Sequence, residues 1–151
     1  INALLDELLD NQTARIIQQG IQVERKYTQG AVVNGELFLL RQAINNLLDN
    51  ALDFTPQGGV VAMHTDQQHN RLLISIANQG EAIPDFAFAR LTERFFSLPR
   101  PASGKKSTGL GLNFVQEVVG LHNGSLELRN TSDGVVALLS IPCELSCDFS
   151  T

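Results

Sequence analysis

Among the first nineteen residues, leucines at positions 4, 5, 8 and 9 and isoleucines at 16 and 17 recur at helical spacing between polar neighbours, and Gly20 ends the pattern. This predicts a lead-in helix over residues 1–19. Ile21, Val23 and Arg25 alternate with polar neighbours as a short strand, and Asn34-Gly35 turns the chain into a helix over residues 36–54. Thr55-Pro56-Gln57-Gly58-Gly59 stops that helix. Residues 60–65 and 72–77 read as a hairpin joined by a polar turn over residues 66–71. A short helix over residues 86–95 precedes a stretch, residues 98–107, whose prolines, glycine and serines predict a mobile loop. A further helix beginning near Gly109 directs Leu112, Val115, Val118 and Val119 toward a core, and strands over residues 125–129 and 135–141 flank a turn. About three substantial helices and about five strands, with two hairpins, predict an α/β fold: a two-layer sandwich with a mixed, mostly antiparallel sheet.

Composition bounds what such a domain can do. The 151 residues are 43% hydrophobic and 18% charged, enough for one core, so residues 1–151 are expected to form a single domain. A formal net charge of −5 argues against a general attraction to nucleic acid or to an anionic membrane. Any anion must therefore be held by local groups. The longest apolar runs fall far short of the ~20 residues that cross a bilayer, so no direct membrane insertion by this chain is expected. Cys143 and Cys147 lack a second pair and read as incidental thiols in a reducing compartment.

On the helix over residues 36–54, a step of about 100° per residue places Leu37, Leu40, Ile44, Leu47, Leu48 and Ala51 on one side and Gln42, Asn46, Asn50 and Asp53 on the other. The polar stripe reads either as a solvated face or as a ligand surface. Asparagine is a poor mid-helix residue, and its amide oxygen is a hard donor suited to a Mg²⁺ ion shared with nucleotide phosphates. Thr108-Gly109-Leu110-Gly111-Leu112 opens the later helix directly after Lys105 and Lys106. It reads either as a tight helix start or as a phosphate site, where unpaired N–H groups and the helix dipole meet an anion. The dinucleotide fingerprint is excluded by Phe114 and a Walker A loop by Pro99 and Lys106. Five of the eleven Lys and Arg residues lie between Arg90 and Lys106, either as a solvated basic loop or as a flap over phosphates.

In this order, the segments resemble the catalytic ATP-binding domain of sensor histidine kinases, within the superfamily of gyrase, the ninety-kilodalton heat-shock chaperone and the mismatch-repair ATPases. The resemblance implies a Bergerat-type fold that binds ATP and Mg²⁺. The family's N box is similar to residues 40–56, centred on Asn46-Leu47-Leu48-Asp49-Asn50-Ala51, which implies that Asn50 binds the metal and that Asn46 supports the phosphates during catalysis. The G1 box is similar to residues 76–84, which implies an adenine pocket built with Asn78, Gly80, Ala82 and Ile83. The F box resembles residues 91–96, with Arg94 and Phe95. The G2 box resembles Ser107, Thr108, Gly109, Leu110, Gly111 and Leu112, and residues 97–108 are implied to be the ATP lid. Arg94, Lys105 and Lys106 are then the cations that offset charge during phosphoryl transfer.

Some positions depart from the family pattern. Asn78 stands where the family has an aspartate that accepts from the adenine amino group, Ala82 and Ser107 replace glycines, and Asp53 replaces a lysine or histidine that faces phosphate. Weaker nucleotide binding is the expectation, as is an unfavourable charge at Asp53 unless Mg²⁺ or lid cations compensate it. Asn46 cannot act as the water-activating glutamate of ATP-hydrolysing relatives, so slow hydrolysis is expected. This also argues against a self-sufficient ATPase or an anti-sigma-factor serine kinase. His122 is expected to be structural, and neither His64 nor His69 has the setting of a phosphoacceptor. The resemblance implies transfer to a histidine of a dimerisation domain lying outside this chain, then to a response regulator, in a cytoplasmic domain of a protein anchored in the bacterial inner membrane. The alternative is a degenerate nucleotide-binding or interaction module.

Overall fold

The computed structural model describes residues 1–28, 31–33, 35–88 and 111–145. In chain order the elements are α1 (Asn2–Asn11), α2 (Thr13–Gln19), β1 (Gln22–Lys26), β2 (Ala31–Val32), α3 (Leu37–Phe54), β3 (Val60–Gln68), β4 (Arg71–Gln79), α4 (Asp85–Phe88), α5 (Gly111–Leu121), β5 (Ser125–Asn130), β6 (Gly134–Pro142) and β7 (Glu144–Leu145). Five strands form one sheet in the order β1-β3-β4-β6-β5. Neighbouring strands run antiparallel except β1 and β3, which run parallel because α3 carries the chain back between them. The expected two-layer α/β sandwich with a mixed, mostly antiparallel sheet is the observed architecture.

One sheet face is apolar because the strands alternate. Val61 and Met63 of β3, Leu72, Ile74 and Ile76 of β4, and Leu139 and Ile141 of β6 are all buried. They share a core with Leu40, Ile44, Leu47, Leu48, Ala51 and Leu52 of α3 and with Val115, Val118 and Val119 of α5. Leu4, Leu5, Leu8 and Leu9 of α1 join the same core, so this helix is an integral part of the domain. Polar links reinforce the attachment. Arg41 of α3 makes a two-point pair with Glu7 at 2.8 and 3.0 Å, and hydrogen bonding to Arg41 holds the Glu7 carboxyl below its ordinary value. Arg25 of β1 donates to Asp6 at 2.9 Å.

The structure differs from the sequence expectations in several places. The lead-in helix is two helices, broken at Gln12 (φ −104, ψ 10), where Thr13 Oγ1 donates to the Asp10 carbonyl at 2.7 Å. The break gives α2 a direction of its own, and Gly20 closes it in the left-handed conformation (φ 65). The hairpin turn is only His69-Asn70, because Gln67 and Gln68 still pair with Leu72 and Arg71. Polar residues on a solvated strand face read as a turn by hydropathy alone. Leu37 lies on the apolar side of α3 by angle but is 61% exposed, since it occupies the open first turn; Ile17 is 74% exposed. The β2–β7 ribbon was not expected, as two-residue strands carry no periodic signal. Among the described residues, no helix is long and apolar enough to cross a membrane.

His122 has a structural role. Its Nε2 accepts the Glu36 N–H at 3.1 Å at the start of α3, and its Nδ1 lies 2.8 Å from the Val118 carbonyl, which sets the tautomer with the proton on Nδ1. Cys143 is buried, and burial pushes its thiol up; Cys147 lies outside the described residues.

Tyr27 supplies a test of how tightly α1 holds the sheet. Burial, and then the Asp6 carboxylate that accepts its hydroxyl hydrogen at 3.1 Å, pushes the phenol up to about 12. An unfolded tyrosine ionises near ~10, so between those values the unfolded chain binds fewer protons and stability falls as pH rises. Phenolate absorbance is easily read because this is the single tyrosine in a chain without tryptophan. The folded protein should show no phenolate until pH approaches 12 or the circular dichroism collapses. A phenolate signal at the ordinary value with the fold intact would show that α1 does not hold the ring.

Candidate functional site: one end of the sheet and the polar side of α3

The C-terminal end of α3 and the end of β4 meet at one end of the sheet. Thr55 closes α3: its hydroxyl donates to the Ala51 carbonyl at 2.6 Å, and Pro56 keeps Thr55 extended (φ −84, ψ 127). At the end of β4, Asn78 is buried to 9% exposure between Val61 of β3 and Val135 of β6. Its amide Nδ2 donates to the Gln79 carbonyl at 3.1 Å, which orients the side chain. Gly80 then passes so close to the end of α3 that a Cβ there would stand 2.6 Å from the Phe54 carbonyl oxygen. The two segments meet only because residue 80 has no side chain.

The loop after Gly80 is pinned by a residue the sequence reading missed. Asn130, the last residue of β5, accepts the Ile83 N–H on its Oδ1 at 2.8 Å and donates from Nδ2 to the Ile83 carbonyl at 3.0 Å. The Gly80 N–H donates to the Asp133 carbonyl at 3.0 Å. The β5–β6 turn therefore positions the segment from Gly80 to Ile83. Its only sequence signal was an asparagine at a strand end, which a turn explains equally well. Ala82 is exposed and Ile83 half-buried.

On α3, Asn46, Asn50 and Asp53 are half-buried along one polar stripe and Gln42 is exposed. Asp53 does not carry an uncompensated charge. Arg15 of α2 reaches across to pair with Asp53 and with Asp49, the latter at 2.6 Å, and the Asp53 side chain is only 19% exposed. An arginine from the lead-in segment thus compensates this charge, a partner the sequence reading did not name; the lid cations lie outside the described residues. The Arg15–Asp49 pairing spans 34 residues and has no local pattern.

His122 ties the end of α5 to the start of α3, and the two helices share the core. Gly111 and Leu112 are half-buried, and among the described residues nothing lies within 4 Å of where a Cβ at Gly111 would stand. Among the expected site residues, the structure brings Asn78 and Gly80 to the end of α3, the helix that carries Asn46 and Asn50; Ala82 and Ile83 follow in the loop tied to Asn130, and Gly111 and Leu112 open α5, which packs on α3. Arg94, Phe95, Lys105, Lys106, Ser107, Thr108, Gly109, Leu110 and the expected lid over residues 97–108 lie outside the described residues, as does the rest of the helix expected over residues 86–95 beyond Phe88. A separate groove of about 510 Å³, lined by residues including Glu36, Leu39, His122 and Cys143, lies at the opposite end of α3 and holds none of these residues.

The residues present fit a nucleotide with a divalent ion. Amide oxygens on α3 offer hard neutral donors, no described residue crowds a Cβ position at Gly111, and the carboxylates of Asp49 and Asp53 on the same helix are already paired with Arg15. Two substitutions probe this geometry. Gly80→Ala forces an oxygen contact that backbone must relieve, costing roughly 1–3 kcal/mol. Its thermal unfolding midpoint should fall and its nucleotide affinity with it. Asn130→Ala releases two hydrogen bonds from Ile83 and should weaken adenosine and ATP binding alike, by about tenfold at most, with little change in stability. Unchanged affinity in both variants would place the ligand elsewhere.

The sequence profile of the family described as "Histidine kinase-, DNA gyrase B-, and HSP90-like ATPase" matches residues 35–144. The sensor protein CreC of Escherichia coli (strain K12) is 40% identical over 136 residues, covering 90% of this chain and 28% of that protein, so the chain spans about a quarter of the length of this relative. The catalytic domain of histidine kinase ThkA has the same fold, with a TM-score of 0.84 at 22% identity over 94% of this chain and 91% of that one. ThkA solved in complex with the response regulator protein TrrA superposes with a TM-score of 0.81 at 21% identity, over 95% of this chain and 40% of that one. The profile match extends over most of the chain and includes the asparagine helix, the Asn78–Ile83 segment and the start of α5, and the chain belongs to the histidine kinase-, DNA gyrase B- and HSP90-like ATPase family.

Proposed function

We propose that this chain binds Mg·ATP between the polar stripe of α3, the segment from Asn78 to Ile83 and the start of α5, and directs the γ-phosphoryl group to a histidine outside it in two-component signalling. The observation that carries the proposal is the crossing of Gly80 against the Phe54 carbonyl, which sets Asn78 beside the end of the helix that bears the asparagine stripe. Asn78, oriented by the Gln79 carbonyl, offers its amide oxygen to the adenine amino group. Asn130 holds the Ile83 backbone against the base. Asn46 and Asn50 face the phosphates, with Asn50 as the metal ligand. Asn50 would hold Mg²⁺, which would supply charge neutralisation to the phosphates during transfer.

The residues of the chain then orient rather than attack. Asparagine at position 46 has no proton-accepting carboxylate, so water in the site stays unactivated and hydrolysis is slow. By the family resemblance, Arg94, Lys105 and Lys106 are the candidate cations for the transferred group, and Phe95 and Ser107 to Leu110 candidate nucleotide-binding residues; all lie outside the described residues. The lid implied by the resemblance, residues 97–108, lies outside the described residues, and residues 1–151 count as one domain in this reading. The acceptor is not His122, whose ring is bonded to two backbone groups, nor His64 or His69 of the β3–β4 hairpin. A dimerisation domain carrying the acceptor histidine and a response regulator are the partners, in a bacterial inner-membrane protein with this domain in the cytoplasm. The ThkA–TrrA complex and the sensor-protein relative support this reading. Nucleic acid has no place in it.

Calorimetric titration with ATP, with and without Mg²⁺, tests the proposal. Binding should depend on Mg²⁺ and fall at least about tenfold in Asn50→Ala, as expected for loss of a metal ligand. No binding under any condition would favour an interaction module with a degenerate site. Steady ATP hydrolysis by the isolated chain should be slow, and rapid turnover would assign it instead to the hydrolysing branch of the superfamily.

A further inference from the structure

Arg15 lies outside the matched region, residues 35–144, yet it reaches the helix that carries the proposed phosphate-facing stripe. Its guanidinium spans Asp49 and Asp53, one turn apart on α3, with its own side chain 26% exposed and that of Asp53 19% exposed. At about 100° per residue, Asp53 stands between Asp49 and Asn46 around the helix, and Asn50 follows Asn46. The two carboxylates therefore flank the asparagines directly. Left unpaired, they would put two negative charges beside a polyphosphate, in a chain that already has a net charge of −5.

We infer that Arg15 is a positioning residue for the nucleotide: from the lead-in helix it neutralises Asp49 and Asp53 and so keeps the asparagine stripe receptive to phosphate. The inference rests on the ATP-binding reading above. It assigns to α2 a part in ligand binding that neither its apolar pattern nor the family match contains. The effect is selective. Arg15 touches the phosphate side of the site, whereas the Asn78 end is built by β4 and the β5–β6 turn, so loss of Arg15 should affect charged ligands and spare the nucleoside.

The test is a set of titrations of the 151-residue chain with Mg·ATP and with adenosine, comparing wild type, Arg15→Ala, Arg15→Lys and Arg15→Ala with Asp49→Asn and Asp53→Asn added. Arg15→Ala should weaken Mg·ATP binding about five- to twentyfold, from two uncompensated charges at close range in a partly solvated site. Adenosine affinity should stay within about twofold, and the deficit should shrink in high salt. Arg15→Lys should retain most of the affinity. Adding the two asparagines should restore Mg·ATP binding without restoring the arginine. Equal loss for ATP and adenosine would show that Arg15 only holds the fold, and unchanged ATP binding would show that the carboxylates lie out of reach of the phosphates; either overturns the inference. Should Arg15→Ala fail to fold, the triple variant against wild type carries the same comparison, with weaker ATP binding there as the overturning result. Absence of ATP binding by the wild type is a separate outcome, visible before any variant is compared, and removes the functional reading together with this inference.

Discussion

Helix α3 has to satisfy two environments along one cylinder, and the rest of the domain is arranged around that demand. Its apolar side, from Leu40 to Leu52, fills the space over the sheet, while its other side carries the half-buried Asn46, Asn50 and Asp53. The helical period makes both sides possible in the same eighteen residues. The cost is local. Asparagine within a helix is intrinsically unfavourable, and burial of the leucines on the opposite side offsets it. Because the apolar side is seated against β3, β4 and β6, the stripe cannot rotate without dismantling the core. Rigidity of the site is a by-product of packing.

The neighbours of α3 fix its two ends and its flank by different forces. At its start, the ring of His122 accepts the Glu36 N–H and so joins the end of α5 to α3. At its finish, Thr55 bonds back to Ala51 and the extended turn delivers the chain into β3. Along its flank, α1 buries four leucines against it and adds the Glu7–Arg41 pair, which is exposed and contributes little to stability but sets the rotation of α1. The break at Gln12 then frees α2 to follow another line, and that line brings Arg15 to Asp49 and Asp53. A single unbroken helix over residues 1–19 would have carried residue 15 along the axis of α1 instead.

What could be read in the sequence was what repeats with a short period or sits in a short segment. The leucines of α1, the two sides of α3, the paired strands and the asparagine stripe were all legible in this way, and the strand ends were misplaced where solvated polar residues imitate a turn. Contacts between distant residues were not legible. Arg15 with Asp53, His122 with Glu36, and Asn130 with Ile83 join segments far apart in sequence, and each of these polar residues has an ordinary local explanation. The resemblance to a family pointed to Asn46, Asn50 and Asn78 but not to the groups that orient or neutralise their surroundings. Residues of a family motif are legible as a run; the groups that support them are dispersed through the chain.

That division bears on why the site is made of amides. A carboxylate at position 78, almost fully buried beside Val61 and Val135, would need several charge-assisted donors to compensate its lost hydration. The amide needs less. Its nitrogen is satisfied by the Gln79 carbonyl while its oxygen keeps the acceptor function, at the expense of a weaker bond to a donor. The same reasoning holds on α3, where neutral oxygens can ligate a cation without adding to the repulsion of phosphate, and where the two carboxylates that do occur nearby are taken up by one arginine. An acidic chain can thus present a local surface compatible with a highly charged anion. The compensation is made residue by residue, independently of the net charge.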